Sequence, residues 1–147
     1  MTDQMSGPTT VTVTREIAAS PERVFAIWTD PDAMMRWFGI EGMTNLEAGF
    51  EPRVGGAWFS KARDPGGAEF RMAGTVTVFE PGRRLGQTWA YVDAEGVRGN
   101  ETEVEVIFEA APKGCRVTVN HRRILYTPDA FREGWGQSLD RIERMVA

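Results

Sequence analysis

His121 and Cys115 are the only histidine and the only cysteine in the chain. A zinc centre of the usual Cys/His kind and an intrachain disulfide are therefore both outside its reach. By type, His121 is the residue best suited to acid–base work, because its proton moves near neutral pH. It closes the apolar alternation Val117, Val119, His121, however, and on such a face a structural role outweighs a catalytic one. No nucleophile elbow, phosphate-cradling glycine loop or paired-acid motif is present. Gly55-Gly56 and Gly66-Gly67 read as turns. Asp140 and Arg144 stand four apart and read as an ion pair on an exposed helix face. Cys115 shares the inward parity and reads as a small hydrophobe. No metal and no cofactor is expected. Gln87, Tyr91 and His121 are polar groups on an otherwise apolar face, suited to orienting a guest in a mostly aromatic site. Gln87 is the most telling of them, since a buried amide needs hydrogen-bond partners.

Those side chains must be held by strands and helices whose signals lie in the neighbouring residues. Residues 10–17 are β-branched at nearly every position and apolar at Val11, Val13 and Ile17, which predicts a first strand. Ser20-Pro21, Asp30-Pro31 and Thr127-Pro128 each set a capping side chain before a proline at the first helical position, and so predict three helix starts. The first helix carries Val24, Phe25, Ile27 and Trp28. The second carries Met34, Met35, Trp37 and Phe38 and stops at Gly39. From Gly42 to Arg123 the pattern alternates, with breaks at 52–56, 63–67, 80–83, 92–100 and 111–114, so six further strands are expected. The stretch from Pro128 to Val146 predicts a long helix. Its apolar stripe is Phe131, Trp135, Leu139, Ile142 and Val146, and a second stripe of small residues is Ala130, Gly134 and Ser138. Interior glycines at 134 and 136 each cost about 1 kcal/mol against alanine. Either a close approach of the sheet or space left for a guest would account for them.

Two hairpins can be registered from side-chain types alone. The turn at 111–114 sets Glu109 opposite Arg116, Ile107 opposite Thr118 and Glu103 opposite Arg122. On the other face it sets Phe108 against Val117, Val106 against Val119 and Val104 against His121. The turn at 80–83 sets Val78 against Leu85, Val76 against Gln87, Gly74 against Trp89 and Met72 against Tyr91, so that the Trp89 ring would rest over a glycine. A five-residue loop after Arg63 would add Trp58 to the inward face, and a one-residue slip would substitute Phe59.

At 147 residues, with 41% apolar and 10% aromatic content, the chain is expected to form one core in a single domain spanning 9–147, behind a loose leader at 1–8. Net charge is −4, which leaves no positive field for nucleic acid or anionic lipid. The N-terminal residues lack an export signal and no run reaches membrane-span length, so a cytoplasmic location is expected. The composition is compatible with a homodimer.

One strand, two short capped helices, six strands and a closing helix is the order of the helix-grip fold. The words Ser20-Pro21-Glu22-Arg23-Val24-Phe25, Trp28-Thr29-Asp30-Pro31, Arg36-Trp37-Phe38-Gly39, Arg53-Val54-Gly55-Gly56-Ala57-Trp58, Pro81-Gly82-Arg83-Arg84-Leu85, Thr88-Trp89, Gly134-Trp135 and Leu139-Asp140-Arg141-Ile142 occur in that order. On them the chain resembles the activator of the 90-kDa heat-shock-protein ATPase homologue family, in the START-like or SRPBCC superfamily. The resemblance implies an α+β fold in which a curved seven-stranded antiparallel sheet wraps the C-terminal helix, with a cavity between them.

Parity then names the inward surface: Trp58, Met72, Trp89, Tyr91, Val104, Val106 and His121 from the sheet, with Phe131 and Trp135 from the helix. Trp37 and Gly134 join these as candidate ligand contacts. A small apolar or aromatic molecule is the expected partner. By resemblance two other readings follow, an activator of a chaperone ATPase and a cyclase-like enzyme. The co-chaperone sharing these motifs carries a second, chaperone-binding domain, for which a single-domain chain is expected to have no room.

Overall fold

The computed structural model describes residues 8–147, and the leader expected at 1–8 lies outside them except for Pro8. The chain runs β1 (Thr9–Ile17), α1 (Pro21–Thr29), α2 (Pro31–Trp37), β2 (Thr44–Phe50), β3 (Ala57–Arg63), β4 (Glu69–Glu80), β5 (Arg84–Val92), β6 (Thr102–Ala111), β7 (Gly114–Ile124) and α3 (Pro128–Val146). Seven antiparallel strands form one sheet in the order β1-β7-β6-β5-β4-β3-β2. Consecutive strands from β2 to β7 are hairpin neighbours. The chain must therefore cross from one edge, β1, to the other, β2, and α1 and α2 make that crossing against the sheet. The curved sheet, the two short helices and the closing helix match the architecture that the resemblance implied.

The caps hold at two of the three expected sites. The Ser20 hydroxyl accepts from Arg23 N at 3.1 Å, and the Asp30 carboxylate accepts from Asp32 N at 3.2 Å. Thr127 does not cap. It sits at φ +52°, ψ +54° instead of the extended conformation a cap needs, and its hydroxyl donates to the Tyr126 carbonyl at 2.8 Å.

The β6–β7 register is the one the side chains dictate, including Glu103 with Arg122, Val104 with His121 and Phe108 with Val117. In β4–β5 the distant pairs Val76–Gln87 and Met72–Tyr91 form as expected. Near the turn they do not: Val78 faces Gly86 and Leu85 faces Phe79, because a bulge between Val76 and Val78 inserts one residue. A Cβ at position 74 would lie 1.8 Å from the Thr88 carbonyl oxygen, so this glycine is where the neighbouring backbone comes close. The same carbonyl accepts from the Trp58 indole at 2.9 Å. Trp58 itself faces inward at 1% exposure, as the five-residue loop requires.

The interior is dense with rings. Phe25 meets Phe79 and Phe108 edge-on at 5.3 and 5.2 Å, and Trp28 lies 5.0 Å from Trp37 and stacks with Trp135 at 5.9 Å. Asp140 does not pair with Arg144 as its spacing suggested. It and Glu143 take Arg15 of β1 at 2.7 and 2.6 Å, tying the second half of α3 to the edge strand. Arg141 donates to the carbonyls of Trp37, at 3.1 Å, and Gly39, binding α3 to the end of α2.

Candidate functional site

The close packing stops towards one end of the sheet. There the first half of α3, the α2–β2 connection and strands β3 to β5 leave a pocket of about 350 Å³. Helix α3 supplies Ala130, Phe131, Gly134, Trp135 and Ser138 to its wall, with Thr127 just before them. The connection and the start of β2 supply Phe38, Gly39, Ile40, Met43 and Asn45. The sheet side supplies Ser60, Ala62, Asp64, Phe70, Met72, Trp89 and Tyr91. Strand alternation explains the sheet contribution, since Ser60 and Ala62 share the parity of Trp58, and Phe70 shares that of Met72. Tyr91 is 47% exposed and stacks on Phe70 at 5.4 Å.

The α2–β2 connection is held over α3 by polar contacts rather than by apolar burial. Ser138 donates to the Gly39 carbonyl at 3.3 Å, and Glu41 N donates to the Gln137 side chain at 2.8 Å. Gly39 is at φ +102°, which turns the chain out of α2 towards the pocket. The stripe of small residues on α3 faces this hollow. A Cβ on Gly134 would come within 2.9 Å of Ile40 Cγ2, whereas Gly136 meets nothing within 4 Å.

Of the residues expected to touch a guest, Met72, Trp89, Tyr91, Phe131, Gly134 and Trp135 lie on the pocket wall. Trp37, Trp58, Gln87, Val104, Val106 and His121 do not. Trp37 is 1% exposed and donates to the Ile27 carbonyl at 3.0 Å within the solid part of the core. Trp58 is one ring further in, 5.3 Å from Trp89. Gln87 is buried between Leu85 and Trp89 on β5, paired with Val76 and Val104, and is not on the pocket wall. Val104 and Val106, 2% and 0% exposed, are packed in the core. Parity gives the face of a strand but not the depth along it at which packing closes.

His121 lies directly behind the wall, 0% exposed, with the rings of Trp89, Phe131 and Trp135 at 5.0, 4.7 and 6.1 Å. Trp135 Nε1 donates to His121 Nδ1 at 3.0 Å, and an indole N–H can only donate. In the neutral ring the proton therefore sits on Nε2, which donates to Thr102 Oγ1 at 2.7 Å. The Thr102 hydroxyl in turn donates to the Trp89 carbonyl at 3.1 Å. Burial holds this imidazole down to about 4, so it is neutral at physiological pH and both its nitrogens are engaged. Burial likewise pushes the Cys115 thiol up. Among the described residues there is no group of three or more His, Cys, Asp or Glu able to hold a metal ion. No helix among them is long and apolar enough to cross a membrane.

Ile40 and Met43 were missed from the sequence because they come from an irregular segment with no period to read, and Phe38 and Asn45 because they stand at the end of α2 and the start of β2, where the period is too short to assign a face. Ser60 and Ala62 had a signal in their alternation with Trp58.

A family model described as Activator of Hsp90 ATPase homolog 1-like protein matches residues 18–147. Among solved structures, a protein from Chromobacterium violaceum is similar at 25% identity with a TM-score of 0.84, covering 93% of this chain and 96% of that one. The AHSA1 protein from Silicibacter pomeroyi is similar at 29% identity and TM-score 0.82, covering 94% and 97%. An AHSA1-like protein from Aeromonas hydrophila, solved by solution NMR, is similar at 27% identity and TM-score 0.74, covering 94% and 92%. No curated protein matches the chain.

Proposed function

The chain belongs to the Activator of Hsp90 ATPase homolog 1-like protein family, and from that premise we propose that it is a binding module for a small apolar or aromatic molecule. The observation that carries this reading is the hollow of about 350 Å³ between α3, the α2–β2 connection and β3–β5, in a molecule whose interior is otherwise filled by rings. Protein interiors pack to the density of organic crystals, and voids larger than a water are few. A hollow of this size, walled by Phe38, Phe70, Trp89, Phe131 and Trp135, falls within the range of ligand pockets. An enzyme reading gains no support from His121. It is sealed behind the wall, engaged at both nitrogens, and neutral.

Thermal unfolding in the presence of aromatic and fatty compounds tests the proposal, because a molecule that binds only the folded chain raises its melting temperature. At 100 times its Kd a ligand adds about 2.7 kcal/mol. The expected result is a rise with two-ring aromatic compounds that Ala130→Trp abolishes by filling the wall from an exposed helix position. Hits whose effect survives Ala130→Trp would move the site elsewhere, and the absence of any hit would sink the reading. The family's name refers to activation of an Hsp90 ATPase. Stimulation of that ATPase by stoichiometric amounts of this chain, undiminished in Ala130→Trp, would put the function on the outer surface instead.

A further inference from the structure

The polar side chains on the pocket wall are almost all engaged within the chain. Asn45 Nδ2 donates to the carbonyls of Met35 at 2.9 Å and Phe38 at 3.0 Å, Ser138 donates to the Gly39 carbonyl, and Thr127 to that of Tyr126. The Trp135 N–H goes to His121, and Asp64 Oδ1 accepts from Ala68 N at 2.9 Å. Asn45 Oδ1 and the Trp89 N–H are unpaired, but both are sealed from solvent and therefore from any guest. Tyr91 is half-exposed, so water serves its hydroxyl. Ser60 is the exception. It is 2% exposed, lines the pocket, and shares the inward parity of Trp58 and Ala62 on β3. Its hydroxyl has no partner among the described residues, yet its oxygen is not one of the two sealed atoms. The little surface it keeps therefore opens on the pocket. Buried hydroxyls are paired in the great majority of cases, and this one can find a partner only from the hollow in front of it.

Charge on the wall is one-sided as well. Asp64 is the only charged residue there, continuing the parity of Ser60 and Ala62 just beyond the end of β3. The cations nearest along the strands turn away from it. Lys61 and Arg63 occupy the alternate positions of β3 and pair with Glu69 at 3.5 and 3.3 Å, and Arg71 of β4 lies over the Phe59 ring at 5.0 Å. A carboxylate entering the pocket would lose its water and meet no cation on the wall. We propose that the pocket takes an uncharged two-ring aromatic molecule carrying one hydroxyl or carbonyl, which bonds to Ser60 Oγ, and that it rejects a carboxylate of the same shape. The inference rests on the ligand-binding reading of this pocket and adds the polar chemistry of the guest. Size supports two rings: an apolar cavity of about 150 Å³ takes one benzene, and this pocket is a little more than twice as large at about 350 Å³. A serine hydroxyl both donates and accepts, so either neutral group satisfies it.

Equilibrium dialysis of the full chain against 2-methylnaphthalene, 2-naphthalenemethanol and 2-naphthoate separates these features, since the three share a ring system and differ in one small substituent. The alcohol is expected to bind about fivefold more tightly than the hydrocarbon, the worth of one neutral hydrogen bond, and naphthoate at least roughly tenfold more weakly than the hydrocarbon. In Ser60→Ala, which removes only the hydroxyl, the hydrocarbon still binds and the ratio of alcohol to hydrocarbon affinity falls to about one or below. In Asp64→Asn, which keeps the oxygen that accepts from Ala68 N, naphthoate gains on the hydrocarbon. If a variant does not fold, the order of the three in the unaltered protein still decides. A hydrocarbon that binds as tightly as the alcohol, naphthoate as the tightest of the three, or an alcohol preference that survives Ser60→Ala overturns this inference and leaves the ligand reading standing. Binding of none of the three overturns both.

Discussion

His121 illustrates how a residue suited by type to catalysis is taken up by structure. Its three-step chain runs from the Trp135 indole through the imidazole and the Thr102 hydroxyl to the Trp89 carbonyl, joining α3 to β7, β6 and β5. Protonation of Nδ1 would turn the acceptor of the Trp135 bond into a donor and break the chain at its first link. The consequence for stability follows from linkage. The folded imidazole titrates at about 4 and the unfolded one at 6.5, so between those values the unfolded chain binds the extra proton. This contribution is complete above pH 6.5 and is lost as pH falls towards 4, at about 1.4 kcal/mol per pH unit and about 3 kcal/mol in all. Urea unfolding at pH 7, 6 and 5 should show that slope, and His121→Gln should flatten it whatever its own stability. Carboxylates join only lower down. Burial works against ionisation of Glu105, but Arg84 at 2.7 Å and Arg122 at 2.8 Å outweigh it, so its share is lost as pH drops below its ordinary 4.5. His121 was legible as inward and structural because its parity is that of Val117 and Val119. That it stands behind the site rather than in it was not legible, because sequence spacing does not tell one ring layer from the next.

Single glycines show at the level of elements where backbone proximity, not side-chain pattern, sets the structure. Gly74 in β4 has the Thr88 carbonyl 1.8 Å from where a Cβ would stand, and that carbonyl also holds the Trp58 indole. Gly74→Ala must force β4 and β5 apart and disturb that bond, at about 3 kcal/mol or more. Thermal unfolding followed by circular dichroism should register it as a loss of melting temperature well beyond that of a surface change. Gly136 is the counter-case within α3, with nothing within 4 Å of its would-be Cβ. Gly136→Ala should stabilise by about 1 kcal/mol, raising the melting temperature by roughly 3 °C. The β6–β7 register could be read from residue types because charged and apolar pairs demanded the same alignment. The β4–β5 register could not be read throughout, since Val76-Thr77-Val78 alternates without interruption across the bulge and carries no mark of it. The Thr127 cap failed for a related reason: a capping residue type is necessary, but the connection from β7 arrives in a left-handed conformation.

Taken over the whole molecule, the two halves of α3 are held very differently, and the difference coincides with the pocket. The buried residues of the helix are Trp135, Ser138, Leu139 and Ile142, all from its eighth residue onwards. That half also carries the Arg15 bridges to Asp140 and Glu143 and the Arg141 bonds to the end of α2. The first seven-residue stretch, 128–134, includes no buried side chain. It follows a connection in which Arg123 and Thr127 both take left-handed backbone angles, at φ 66° and 52°, with Leu125 and Tyr126 exposed between them. Left-handed backbone costs a non-glycine residue about 1–2 kcal/mol, so the link stores strain next to the pocket wall. Few buried side chains and a strained lead-in make residues 128–134 easier to open than the rest of α3. Opening there would uncover Phe131 and Gly134 without disturbing the packed end of the core around Trp28 and Phe108. Amide hydrogen exchange resolved by residue should accordingly be at least tenfold faster over 128–134 than over 138–146. Saturation with any guest that raises the melting temperature should slow the first segment and leave the second nearly unchanged. Equal protection of both segments, before and after addition, would mean that the helix moves as one piece and that access to the pocket runs through the α2–β2 connection instead.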